Sequence, residues 1–244
     1  DMIKWYDLTK NVRYLEKAEM VWDYLMKGNT PSCGGGILWK EYPTPTATKH
    51  TCSTAPAAVL GCRLFLATND SSYLRKAEDL YSWLKKYLQD PVDNLYWDNI
   101  NPDMKVSKAK YSYNSGEPME TAALLYKITK ESKYLIDAQQ IARSSFEKWF
   151  APYYSKPLNE NFNILSPGNC WFNVILFRGY LALYDVDNNR TYLNAIQETL
   201  KHAWQSTCRN KDTNLLNDGD LSGSTPQTSW ELLQQGACVE FMAR

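Results

Sequence analysis

Apolar residues follow two rhythms in alternating stretches. In "YLRKAEDLYSWLKKYL" (73–88) they recur at Tyr73, Ala77, Leu80, Tyr81 and Leu84 with charges between them. That is the spacing of an amphipathic helix with one buried face. In "TCSTAPAAVLGCRLFLA" (51–67) and "NVILFRGYLALY" (173–184) charges are nearly absent, as expected of a helix enclosed on all sides. The two kinds alternate along the chain. The tyrosines that anchor the amphipathic stretches, Tyr14, Tyr73, Tyr134 and Tyr192, lie 59, 61 and 58 residues apart, a fixed period that marks a repeat architecture.

Each repeat reads as an αα-hairpin. An apolar helix ends in a polar turn of about five residues, rich in Thr, Asn, Asp and Lys, and Tyr-Leu then opens the amphipathic helix. Asn, Asp and Ser in the turn satisfy the free backbone groups of helix ends. The apolar helices are predicted at roughly 1–8, 52–67, 114–129 and 171–185, and the amphipathic ones at roughly 13–27, 72–89, 133–150 and 191–205. "WELLQQGACVEFMAR" (230–244) makes a ninth helix, and there is hardly any strand signal. The fold class is therefore all-α, with an inner and an outer layer of helices arranged as an open solenoid or a closed ring.

Turns inside the hairpins are short. The links between hairpins, roughly 28–50, 90–112, 151–169 and 206–229, are long, and alternation puts them all on one face. Long loops in a compact domain are usually functional. These hold Trp39, Tyr96, Trp97, Tyr153 and Tyr154 beside many Asn, Asp and Gly residues. Aromatic faces with fixed polar groups suit a sugar, whose C–H faces are apolar and whose hydroxyls need donors and acceptors. The inner-helix N-termini, "KHTCST" (49–54), "YSYNSG" (111–116) and "GNCWFN" (168–173), converge on the same face and offer free N–H groups at a positive dipole end. Thr51, Ser53 and Asn114 serve there as caps or as ligand contacts, and His50 is a polar contact candidate. Paired carboxylates are the tools of glycoside cleavage. Asp98, Asp103, Asp218, Asp220 and Glu117 lie on or near the loop face, with Asp98 in "YWDNI" the best placed. His202 falls midway along an outer helix and reads as a surface residue.

Composition narrows the function. At 244 residues the chain fits one domain, 1–244. Twenty-seven basic and 27 acidic residues cancel, which gives no electrostatic case for nucleic acid or an anionic membrane. No apolar run approaches the ~18 residues of a membrane span. The six cysteines form no CxxC or zinc spacing. Cys52, Cys62 and Cys238 read as core thiols; Cys33, Cys170 and Cys208 lie near loops, with any pairing undetermined. Asn69-Asp-Ser and Asn189-Arg-Thr fit the glycosylation sequon. There is no Walker loop, GxGxxG or HExxH, and "NDGDLSG" (217–223) lacks the alternating acids of a calcium loop. No metal or organic cofactor is expected.

The period also acts as a ruler. Inner helices begin about 20–22 residues before their repeat tyrosine, which for Tyr14 falls six to eight residues before Asp1. The first inner-helix N-terminus is thus expected upstream of this chain.

The runs "CGGGILWKE", "KHTCSTAPAAVLGCRLFLATNDSSYL", "YSYNSGEPMETAALLYKIT", "WFNVILFRGYLALY" and "LLQQGACVEFMAR", in that order, resemble glycoside hydrolase family 76, in its bacterial branch, over essentially the whole chain. The resemblance implies an (α/α)6 toroid of twelve helices, about nine of them here, apparently incomplete at the N-terminus. It implies a retaining endo-α-1,6-mannanase that uses two adjacent aspartates at an inner-helix N-terminus, placed upstream of Asp1, so no catalytic residue is assigned within 1–244. It implies a mannan polysaccharide or oligosaccharide as substrate, an extracytoplasmic location and a full-length monomer. Gly34, Gly35, Gly36, Trp39, Tyr113, Asn114, Trp171 and Phe172 match family-like positions near the cleft; with His50, Trp97 and Asp98 they are the substrate-contact candidates. His50 stands where close relatives often have Asn. Three other readings remain: a non-catalytic glycan-binding or cell-wall-remodelling protein on the same ring, a helical-ring hydrolase of unsaturated uronides served by loop lysines, and a helical scaffold for protein partners. An open scaffold needs polar capping repeats, and the last helix is too apolar on one side to be one.

Overall fold

A computed structural model describes residues 2–41, 44, 46–165, 168–225 and 227–244. Asp1, and Tyr42 and Pro43 of the first long link, lie outside the described residues. Among those described there are nine helices: α1 (Met2–Thr9), α2 (Val12–Lys27), α3 (Thr51–Thr68), α4 (Ser71–Tyr87), α5 (Ser112–Thr129), α6 (Ser132–Trp149), α7 (Cys170–Asp187), α8 (Thr191–Gln205) and α9 (Leu232–Ala243). None is long and apolar enough to cross a membrane.

The repeated turn has a physical cause. Lys10, Asn69, Lys130 and Asn188 each adopt positive φ, between 55° and 62°. Each donates its N–H to a carbonyl four residues back and so closes the inner helix. In three turns a threonine (Thr9, Thr68 or Thr129) donates its hydroxyl back into the helix and accepts the N–H two residues on. In the fourth, Asp187 accepts the N–H of Asn189. Asn11 and Asp70 then cap α2 and α4, the role expected of Asn and Asp at helix N-termini.

Helices α1, α3, α5, α7 and α9 lie side by side as an inner layer, and α2, α4, α6 and α8 pack outside them. Helices α5 and α7 touch backbone to backbone: a Cβ on Gly116 would come within 2.5 Å of the Ile175 carbonyl. The main core gathers Tyr81, Trp83, Leu84, Met119, Val174 and Tyr180 between the layers. A smaller cluster of Ile3, Ala18, Trp22 and Leu64 joins α1 and α2 to α3.

The links hold more strand than the sequence predicts. Strands β4 (Phe150–Ser155) and β5 (Glu160–Leu165) form an antiparallel hairpin whose exposure does not alternate residue by residue. Strands β1 (Lys49–His50), β2 (Asn99–Ile100) and β3 (Val106–Ser107) form a small antiparallel sheet whose two-residue strands are too short to show a period. Its register sets His50 opposite Asn99, which ties the first long link to the second at the mouth of the inner layer.

Candidate active-site cleft

Asp98 is the centre of the polar cluster. Its backbone is pinned to the start of α3: its carbonyl accepts the Thr51 N–H at 2.9 Å, and the neighbouring Trp97 carbonyl accepts the Thr51 hydroxyl at 2.6 Å. Its N–H donates to Ser107 across the small sheet at 3.1 Å. Its carboxylate is then bracketed. Oδ1 accepts from the Asn114 amide at 3.1 Å and Oδ2 from the Asn99 amide at 2.8 Å. His50 Nδ1 lies 4.0 Å from Oδ2. Asn114 is wholly buried, and its own Oδ1 has no hydrogen-bond partner among the described residues.

Aromatic rings wall this cluster. Trp39, 56% exposed, stacks on the His50 ring at 5.0 Å and 19°. Tyr113 packs against Phe172 at 4.5 Å and lies parallel to Tyr111 at 5.4 Å. Trp97 carries the Lys108 ammonium over its ring at 5.0 Å. Electrostatics follow from burial and Asp98. Burial, followed by the Asp98 charge, pushes the Tyr113 phenol up. Burial, followed by the charges of Glu117 and Asp98, pushes the Cys52 thiol up to about 12. Burial lowers the His50 pKa, with Asp98 opposing, so the imidazole is neutral at neutral pH.

His50, Trp39, Asp98, Trp97, Tyr113, Asn114 and Phe172 therefore come together at or beside the mouth of the inner layer. Other candidates stand apart. Gly35 and Gly36 pack on Trp83: a Cβ on Gly36 would sit 2.7 Å from three of its ring atoms. Trp171 donates its N–H to Gln234 and packs half-buried against the core. Tyr96 is wholly buried rather than a loop aromatic. Tyr153 packs on His202 and Tyr154 donates to Asn159. Asp220 and Asp218 order their own loop, accepting from Ser222, Ser224 and Thr225, and from Gln227 and Gln235 respectively. Glu117 lines a cavity of about 570 Å³ inside the inner layer. There burial, then Glu120, push its carboxyl well above the usual range, while the Arg63–Glu120 and Arg178–Glu240 pairs satisfy one another.

His202 is not a surface residue. It is buried, accepts the Ser155 hydroxyl at Nδ1 (2.8 Å) and donates from Nε2 to the Ser222 carbonyl (2.9 Å). All six cysteines are free thiols, five buried and Cys52 half-buried. Sequence reading missed Lys49, Thr48 and Asn99. Lys49 is fully buried and donates to the Gly28 and Gly36 carbonyls and the Thr30 hydroxyl at 2.8–3.0 Å. It holds the glycine-rich link against the strand that carries His50. A lone lysine carries no sequence signal for burial. Asn99 was legible only as the residue beside Asp98.

Two layers of helical hairpins, with a bracketed carboxylate and aromatic walls at the inner-helix N-termini, are the frame of an α/α toroid. The chain belongs to glycosyl hydrolase family 76, whose sequence profile matches residues 2–244, and its fold is that family's α/α toroid. It is similar to a solved family 76 mannosidase from Bacteroides thetaiotaomicron, with 48% identity and a TM-score of 0.94 over 99% of this chain and 66% of that one. It is also similar to the α-1,6-mannanase of Salegentibacter sp. HEL1_6, at 28% identity and a TM-score of 0.80 over 99% of this chain and 71% of that one. An inactive variant of that mannanase, with two adjacent aspartates replaced, has been solved with α-1,6-mannotetrose. A Candida albicans mannan endo-1,6-alpha-mannosidase is 26% identical over 57% of this chain and 33% of its own length. Another curated relative, from Schizosaccharomyces pombe, is matched over 41% of its length. The chain thus spans less than half of these curated relatives.

Proposed function

We propose that the protein is a glycoside hydrolase that cleaves α-1,6-linked mannan from within the chain with retention of configuration. The observation that carries this reading is the Asp98 carboxylate, bracketed by Asn99 and Asn114 amides and walled by Trp39, Tyr113 and Phe172, in a member of this family. A retaining mechanism needs two carboxyl groups: one attacks the anomeric carbon to form a glycosyl-enzyme, and the other protonates the leaving oxygen and then activates water. An adjacent aspartate pair of the kind replaced in the inactive Salegentibacter variant would take these roles; residues 1–244 contain no such pair. Residues 2–244 supply the cleft. Asp98 accepts a sugar hydroxyl, its charge held in place by two amide donors. Tyr113 and Phe172 cover apolar sugar faces, and Trp39 offers a platform at the rim. The chemistry calls for no metal or organic cofactor. A polymeric substrate calls for an extracytoplasmic enzyme.

The test is calorimetric binding of α-1,6-mannotetraose to the complete protein, with β-1,4-mannotetraose as control, followed by Asp98→Asn. Selective binding that weakens at least tenfold in the variant supports the reading. Equal affinity for both oligosaccharides, or no binding, contradicts it. Binding without cleavage points to a glycan-binding protein on the same ring.

A further inference from the structure

His50 has two ring nitrogens, and the structure gives each a different neighbour. Nε2 lies 2.8 Å from the Thr48 hydroxyl. Nδ1 faces Asp98 Oδ2 at 4.0 Å, too far for a direct hydrogen bond. A negative oxygen opposite Nδ1 favours a proton on that nitrogen. The lone pair then lies on Nε2, where the Thr48 hydroxyl donates to it. The imidazole is neutral at neutral pH because it is buried, so one tautomer has to serve both contacts.

A 4.0 Å gap between Nδ1 and Oδ2 is the spacing of two polar groups bridged by one atom rather than bonded directly. An oxygen about 2.8 Å from each would subtend close to a right angle between them, tighter than the tetrahedral angle between the lone pair and O–H of a hydroxyl but within the bend that hydrogen bonds tolerate. Such a hydroxyl would accept from Nδ1–H and donate to Oδ2. Both sides of the gap are fixed in place. Asp98 is held by Asn99 and Asn114, and the His50 ring is held flat by Trp39. His50 is on β1 and Asn99 pairs with it across the sheet, so the two walls of the gap move together.

We propose that His50 and Asp98 form a two-sided clamp for one sugar hydroxyl, with His50 donating from Nδ1, Asp98 accepting at Oδ2, and Thr48 setting the tautomer. This makes His50 a specificity-determining residue. A ligand lacking that hydroxyl leaves a buried donor and a half-buried carboxylate facing each other unfilled, a loss that discriminates more sharply than a missing apolar contact. The clamp rests on the carbohydrate reading of the cleft, so its test has one part that needs no ligand.

The chain has two histidines, and the clamp requires opposite tautomers of them: Nδ1–H at His50, against Nε2–H at His202, which donates to the Ser222 carbonyl. Nitrogen-15 NMR of the protein at pH 7.5, assigned with His50→Phe, reads this directly. The expected result is one imidazole of each type, with Thr48→Val shifting His50 toward Nε2–H. A His50 protonated at Nε2 overturns the proposal. Calorimetry with α-1,6-mannotetraose is the second part. His50→Phe keeps a ring behind Trp39 and removes the donor, and Thr48→Val keeps the imidazole. The expected loss of affinity is tenfold or more for His50→Phe and smaller for Thr48→Val. Wild-type affinity in His50→Phe reduces His50 to a packing role and overturns the clamp. If the wild-type protein binds no mannotetraose, the substrate reading fails and the clamp falls with it, whereas selective binding with His50 protonated at Nε2 removes the clamp and leaves the substrate reading standing.

Discussion

Raising the pH from 7 to 9 should stabilise the fold relative to a Lys49→Met variant. Lys49 is fully buried and donates only to neutral oxygens. Burial pulls its pKa from 10.5 to about 8. The folded pKa is thus below the unfolded one, and between about pH 8 and 10.5 the unfolded chain holds more protons. Stability from this group therefore rises with pH across that window and is at its minimum below pH 8. The gap between the two values corresponds to about 3 kcal/mol against the fold at low pH, of which about 1 kcal/mol is relieved between pH 7 and 9. Methionine has no such charge. The substitution also leaves few orphans. The Gly28 carbonyl keeps the Leu38 N–H, the Gly36 carbonyl keeps the Asn29 amide, and the Thr30 hydroxyl keeps Ser32. Urea unfolding of both proteins at pH 7 and 9 measures the difference: the tyrosines and the other cysteines affect both alike, and the Cys33 thiol, which senses the Lys49 charge, is pushed up by burial and stays mostly protonated in the fold over this interval. The wild type should gain about 1 kcal/mol on the variant over that interval. An unchanged difference would mean that Lys49 is not titrating as a buried cation.

Gly36→Ala should lower stability by about 2–4 kcal/mol in a chemical melt, from overpacking and backbone strain together, because Gly36 sits at φ +73° with Trp83 where the Cβ would go. His202→Ala should cost about 2–3 kcal/mol by removing the partner of the Ser222 carbonyl and the Ser155 hydroxyl; a surface histidine would cost almost nothing. The 244-residue chain on its own should self-associate in light scattering, since Leu8 is 78% and Leu232 90% exposed, with Trp5 and Val239 adding to the same apolar faces. A clean monomer would contradict that.

The helical frame was legible because each hairpin obeys strong local rules. The period of about 60 residues comes from one turn used four times, and Thr, Asn and Asp write that turn into the sequence. Asp98 and Asn114 were legible for a related reason: an aspartate in an aromatic loop and an asparagine at an inner-helix start both fall on the long-loop face. What joins them was not legible. The sheet that sets His50 opposite Asn99 has strands of two residues, below the length at which alternation appears. Burial of Lys49 and His202 depends on carbonyls and hydroxyls supplied from 13 to 47 residues away, which no local pattern encodes. Gly35 and Gly36 were read as cleft residues from their place in a motif; their positive φ and the Trp83 ring against them give a packing reason for the glycines.

The most direct test of the central claim is to incubate the complete protein with linear α-1,6-mannan and follow the anomeric protons of the products by NMR from the first minutes. The account predicts release of mannooligosaccharides whose new reducing ends appear first as the α-anomer and then mutarotate, with release suppressed in Asp98→Asn. Products appearing first as the β-anomer, or no release from a protein that is folded and binds mannan, would contradict it.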